Sequence, residues 1–138
     1  LLATGTLFKG SVDVQRKQQG CMRYCYLDER VSKTPRRFRC QPEHTILEKQ
    51  NRPAGLSAEQ EILIRNQTIP VFTSRQFGKS GYCQLALPLG PALARGNKDR
   101  NEIGVFNILS QGFRAQNIEQ RTIEYAPFQM RPGIIYVT

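Results

Sequence analysis

The sequence predicts an α+β fold, mainly β, that opens on the last rung or rungs of a β-solenoid (β-helix) and carries two or three short helices further along. Three observations predict it. Residues 4–15 alternate in short stretches broken by Gly5 and Gly10, residues 21–27 set aromatic and apolar side chains at period two, and the chain closes on the apolar run Gly133-Ile-Ile-Tyr-Val-Thr138.

The elements follow in order. Thr6-Leu-Phe and then Gly10-Ser-Val-Asp-Val have the size of one stacked rung, and a rung buries its apolar face only against a neighbour. One or two such units are present, so a solenoid here is its last turn and Leu1 reads as an internal position of a longer chain. Cys21-Met-Arg-Tyr-Cys-Tyr-Leu reads as a strand, paired antiparallel with Arg36-Arg-Phe-Arg-Cys40. Residues 41–56, with Pro42, Pro53 and Gly55, read as loop with at most a helical turn around 45–48. Ser57-Ala-Glu-Gln60 is a capping-box pattern that opens a helix over 58–66, and Pro70 ends it. Val71-Phe-Thr-Ser and Cys83-Gln-Leu-Ala-Leu read as short strands around the loop Gly78-Lys-Ser-Gly81, and residues 90–100 as a second loop. Helices are expected within 102–108, where Ile103, Phe106 and Leu109 recur every three residues, and around 115–124 with Ile118 and Ile123. Gly104 and Gly112 weaken both. An apolar terminus such as 133–138 is usually tied into a sheet.

With 138 residues and 39% apolar content there is room for one domain with a packed core, which excludes a disordered polyelectrolyte. No apolar stretch approaches the length of a membrane span, and residues 1–20 lack the positively charged start of a signal peptide. The net charge is +9, and it is uneven: residues 1–52 hold 11 basic and 5 acidic side chains. Arg30, Lys33, Arg36, Arg37 and Arg39 stand together with no acid between them. Such a run attracts phosphate backbones, anionic lipid or an acidic protein face, and makes these five residues the candidate docking set.

Other motifs carry less. Gly78-Lys79-Ser80 resembles the end of a phosphate-binding loop, but Thr73 stands where the first Gly belongs and a strand, not a helix, is expected to follow. Cys21, Cys25, Cys40 and His44 form a Cys3His set that a tetrahedral zinc accepts, although on a strand Cys21 and Cys25 stand about 13 Å apart, too far to chelate without a bend. The alternatives are buried thiols on neighbouring strands or a Cys21–Cys40 disulfide across the hairpin. No nucleophile elbow or paired carboxylates appear, so no catalytic residue, cofactor or enzymatic activity is expected. Arg36-Arg37-Phe38-Arg39 interleaves basic and aromatic side chains as single-strand nucleic-acid grooves do, which makes nucleic-acid binding the alternative function.

Seven segments taken in order carry a resemblance: Gln18-Gln-Gly-Cys-Met-Arg-Tyr, Lys33-Thr-Pro-Arg-Arg-Phe-Arg-Cys-Gln-Pro42, Phe72-Thr-Ser-Arg-Gln-Phe-Gly, Gly81-Tyr-Cys-Gln-Leu, Glu102-Ile-Gly-Val-Phe, Glu124-Tyr-Ala-Pro-Phe and the terminal run from Gly133. From about residue 5 to its end, the chain resembles the C-terminal region of large β-helix-repeat bacterial proteins that accompany contractile injection systems, the phage-tail-like particles. The resemblance implies that residues 1–20 close a repeat array and 21–138 form its capping domain. It implies a structural or assembly role at the baseplate or as a peripheral attachment, through contacts with other protein subunits, in the bacterial cytoplasm or on the assembled particle. The family pattern has cysteines matching Cys21 and Cys40, a Ser-like residue at Cys25, a Gly-like one at Cys83 and no ligand at His44. This weakens the zinc set and leaves Cys21 with Cys40 as the pair to watch.

Overall fold

Three short passes of the chain, residues 2–8, 21–27 and 36–42, run in one direction side by side. The structure, a computed structural model, describes residues 1–28, 33–53, 55–86, 89–109, 111–128, 130 and 133. In the first ladder β1 (Leu2–Thr4), β3 (Cys21–Arg23) and β5 (Arg36–Phe38) pair in parallel, with β3 central and Ala3, Met22 and Arg37 in register. In the second, β2 (Leu7–Phe8) pairs in parallel with β4 (Tyr26–Leu27), and Tyr26 bridges Gln41 of the third pass.

Between the ladders each pass turns a corner at a residue with positive φ: Gly5 at 61°, Tyr24 at 53° and Arg39 at 49°. The corners stack, because the Gly5 amide donates to the Arg23 carbonyl and the Tyr24 amide to the Phe38 carbonyl, each at 3.0 Å. Only at Gly5 is the left-handed backbone free of steric cost. The corner reverses which side chains face inward. Met22, Cys25, Leu27 and Cys40 therefore share one core cluster, covered by Ala3, Phe8 and Val12, and Tyr26 turns the other way to meet Leu93 and Ile103.

Among the described residues four helices follow, the first directly from the third pass. α1 (Glu43–Gln50) starts behind Pro42 and buries Ile46, and α2 (Ala58–Gln67) buries Ile64. The Ser57 hydroxyl accepts the Gln60 amide at 3.3 Å while the Gln60 side chain accepts the Ser57 amide at 3.1 Å, a reciprocal cap that satisfies two otherwise orphaned donors. Pro91 opens the four-residue α3 (Pro91–Ala94), which buries Leu93. After a 3-10 turn at Asn107–Leu109 comes α4 (Gln111–Tyr125), fifteen residues long.

The expected fold class is overturned. Strands are two or three residues long and lie in two small parallel sheets, whereas three helices span eight, ten and fifteen residues; no β-solenoid is found among the described residues. Helix replaces loop at α1 because Glu43, Leu47, Glu48, Lys49 and Gln50 are good helix formers and Pro42 is tolerated where a helix begins. The antiparallel hairpin of 21–27 with 36–40 is also replaced by parallel pairing. The twelve residues of sequence between β3 and β5 are the length that a parallel connection needs, and the corners at Tyr24 and Arg39 keep successive passes aligned. Strands on either side of residue 20 pair with one another. Among the described residues the strands expected at 71–74 and 83–87 reduce to isolated bridges, Phe72 with Leu85 and Ser74 with Tyr82, and Leu87 lies outside the described residues. Residues 102–106 are irregular, and of the expected terminal strand all but Gly133 lies outside the described residues. No helix among the described residues is long and apolar enough to cross a membrane.

Candidate functional site

The corners at Tyr24 and Arg39, one face of α1, the end of α2 and residues 89–100 enclose an open cleft of about 780 Å3. Its position follows from the chain path. α1 leaves the third pass immediately after the Arg39 corner, so His44, Glu48 and Lys49 line one wall. Ile64 and Thr68 of the α2 end, both buried, line the cleft with Leu89, Pro91 and Ala92 and with the buried polar side chains Gln41 and Asn97. The opposite wall is the turn at 95–100. There the Lys98 amide donates to Asn97 Oδ1 at 2.8 Å and the Arg100 amide to the Asn97 carbonyl at 3.1 Å, with Arg100 itself at φ 58°. Gly96 allows this turn to close: a Cβ there would lie 2.2 Å from the Ala92 carbonyl oxygen and 2.6 Å from Ile103 Cδ1.

The cleft is strongly cationic. Arg39, Lys49, Arg95, Lys98 and Arg100 line it, against a single carboxylate among the described residues, Glu48, which pairs with His44 at 3.4 Å. Among the described residues none of those five cations forms an ion pair. Arg39 instead lies over the Phe38 ring at 5.7 Å, and the Phe38 ring meets Tyr24 edge-on at 5.7 Å.

The members of the expected docking set are placed as follows. Arg30 lies outside the described residues. Lys33 and Arg36 are exposed, and Arg37 is engaged: it donates to Thr34 Oγ1 and to Glu43 Oε1, each at 2.8 Å. Only Arg39 reaches the cleft. Sequence reasoning missed Lys49, Arg95, Lys98 and Arg100. The legible trace of the last three was Arg95-Gly-Asn-Lys-Asp-Arg100, three cations in a turn-rich hexapeptide.

The weak Cys3His set does not assemble. Cys21 is in register with Arg36, His44 turns to Glu48, and no group of three metal-binding side chains comes together among the described residues. All four cysteines are free thiols, and Cys40 lies beside Cys25 rather than Cys21. Each thiol donates to a backbone carbonyl, Cys25 to Arg23 at 3.2 Å and Cys40 to Met22 at 3.4 Å; the neighbouring Cys40 thiol, with burial, pushes Cys25 above the usual thiol range, and the neighbouring Cys25 pulls Cys40 below it. A second cavity of about 360 Å3 between α3 and α4 holds Glu102, whose carboxyl is pushed upward by burial. The phosphate-loop-like Gly78-Lys79-Ser80 is a turn with no helix after it.

Comparison with known protein families, curated proteins and solved structures finds no match to this chain.

Proposed function

We propose that the chain is a non-enzymatic structural or assembly component of a contractile, phage-tail-like particle, working at the baseplate or as a peripheral attachment through protein–protein contacts. One observation carries the reading: the C-terminal helix presents its apolar side chains to solvent. Ile118 and Tyr125, seven residues apart and so on one face of α4, are 53% and 87% exposed, and Phe128 just beyond is 93% exposed. Exposed apolar residues gathered on one helix and the segment after it suit a protein contact better than they suit a free surface. The resemblance in the sequence names the kind of assembly that would cover it.

The test is co-sedimentation. The tagged chain is mixed with particles purified from a bacterium that carries this sequence, and the mixture is run on a density gradient. The chain is expected in the particle fractions, and Tyr125→Glu with Phe128→Glu is expected to move it to the top while leaving its circular dichroism unchanged. A wild-type chain that stays at the top overturns the reading.

A further inference from the structure

We infer that the cationic cleft receives an acidic segment of a partner protein, its carboxylates meeting the Arg39, Lys49, Arg95, Lys98 and Arg100 side chains and its apolar side chains resting on Ile64 and Leu89. The inference rests on the reading of the chain as an assembly component and names the chemistry of one of its contacts.

Three features converge on it. The five cations share one cavity and find no carboxylate partner among the described residues, so each raises the potential felt by the others until an anion enters. Apolar side chains, Ile64, Leu89, Pro91 and Ala92, line the cleft beside the cations, which matches a peptide carrying both kinds of side chain. The backbone at Tyr24, Arg39 and Arg100, all on the cleft, is held in the left-handed region that glycine would occupy without cost, and such strain gathers at ligand sites.

The same geometry disfavours a polynucleotide. The cations surround a bounded cavity rather than a track, and the one aromatic ring at its edge, Tyr24, is already engaged edge-on by Phe38. Arg36 and Arg37, the cations that would extend a track, stand on β5, and Arg37 is held by Glu43.

The experiment is fluorescence anisotropy at low salt with a fluorescein-labelled peptide of sequence Asp-Leu-Glu-Asp-Leu-Glu. The intact chain should bind it, and Arg95→Glu with Lys98→Glu should weaken binding about tenfold or more, since like charges then face the carboxylates. Arg16→Glu with Lys17→Glu changes net charge by the same amount away from the cleft and should weaken binding less than about twofold. Should the double cleft variant fail to fold, Lys98→Glu alone, at an exposed position, should still weaken binding about threefold. No binding by the intact chain overturns the inference. So does equal weakening by both charge-matched variants, and so does an oligothymidylate that binds more tightly than the peptide. Peptide binding by a chain that does not co-sediment with particles would keep the cleft and remove the assembly reading; co-sedimentation without peptide binding would do the reverse.

Discussion

Oxidation of the chain with diamide should link Cys25 to Cys40 and leave Cys21 free. The two residues occupy equivalent positions on the second and third passes, because the register that bridges Tyr26 to Gln41 sets Cys25 beside Cys40, and the Gln41 amide donates to the Cys25 carbonyl at 2.8 Å. Neighbouring strands stand about 4.8 Å apart, inside the span of about 4.4–6.8 Å between Cα atoms that a disulfide bridges. Both thiols surrender their protons and one electron each to the diamide N=N bond, which becomes a hydrazine as the S–S bond forms. Linking positions fifteen residues apart removes loop-closure entropy from the unfolded chain worth about 3 kcal/mol, or roughly 10 °C in Tm for a chain of this size. Trypsin separates the candidates, because Arg23 lies between Cys21 and Cys25 and Arg39 precedes Cys40. Mass spectrometry of the non-reduced digest should show peptide 24–30 joined to peptide 40–49. A join of peptide 18–23 to 40–49 would restore the antiparallel hairpin and refute the parallel register.

Three further outcomes follow from the fold. Met22→Ala empties a wholly buried position in the first core cluster and should cost about 2–5 kcal/mol in urea unfolding; a loss under about 1 kcal/mol would show that this cluster is not a packed core. Ser57→Ala removes the hydroxyl half of the capping box and should cost about 1 kcal/mol, with Ser57→Gly costing less. Burial raises the Glu102 carboxyl above its unfolded value, so its stabilising share is full below the unfolded pKa and is lost as pH rises through the folded one. Glu102→Gln should therefore flatten the fall in Tm between mildly acid and neutral pH, and an unchanged Tm-against-pH curve would contradict the burial.

The local signals in the sequence were legible where a single side chain decides the structure. The Ser57/Gln60 pair placed the α2 start at the observed residue, because the cap is a contact between residues three apart. The strand character of 21–27 was legible too, but not its break at Tyr24, since no residue type there announces a left-handed corner as Gly5 does. That corner decides both the direction of pairing and which cysteine meets Cys40, so the hairpin and the Cys21–Cys40 pair followed from one missing bend. The prolines around 43–50 argued for loop, while Pro42 in fact precedes a helix it does not disturb. The cationic cleft was illegible for a different reason: Lys49 and Arg95 come together only through the packing of α1, α2 and residues 89–100. Of the basic run at 30–39, which drew attention by its density, the cleft lining among the described residues takes Arg39.

Cross-linking mass spectrometry on the particle-bound chain tests the central claim most directly. A zero-length carbodiimide reagent joins lysine amines to carboxylates in contact with them. If the chain is an assembly component docked through its cleft, Lys49 and Lys98 should join Asp or Glu residues of another particle subunit, and Lys9 and Lys17, away from the cleft, should not. Cross-links that spare Lys49 and Lys98, or that fall evenly on all lysines, would contradict it.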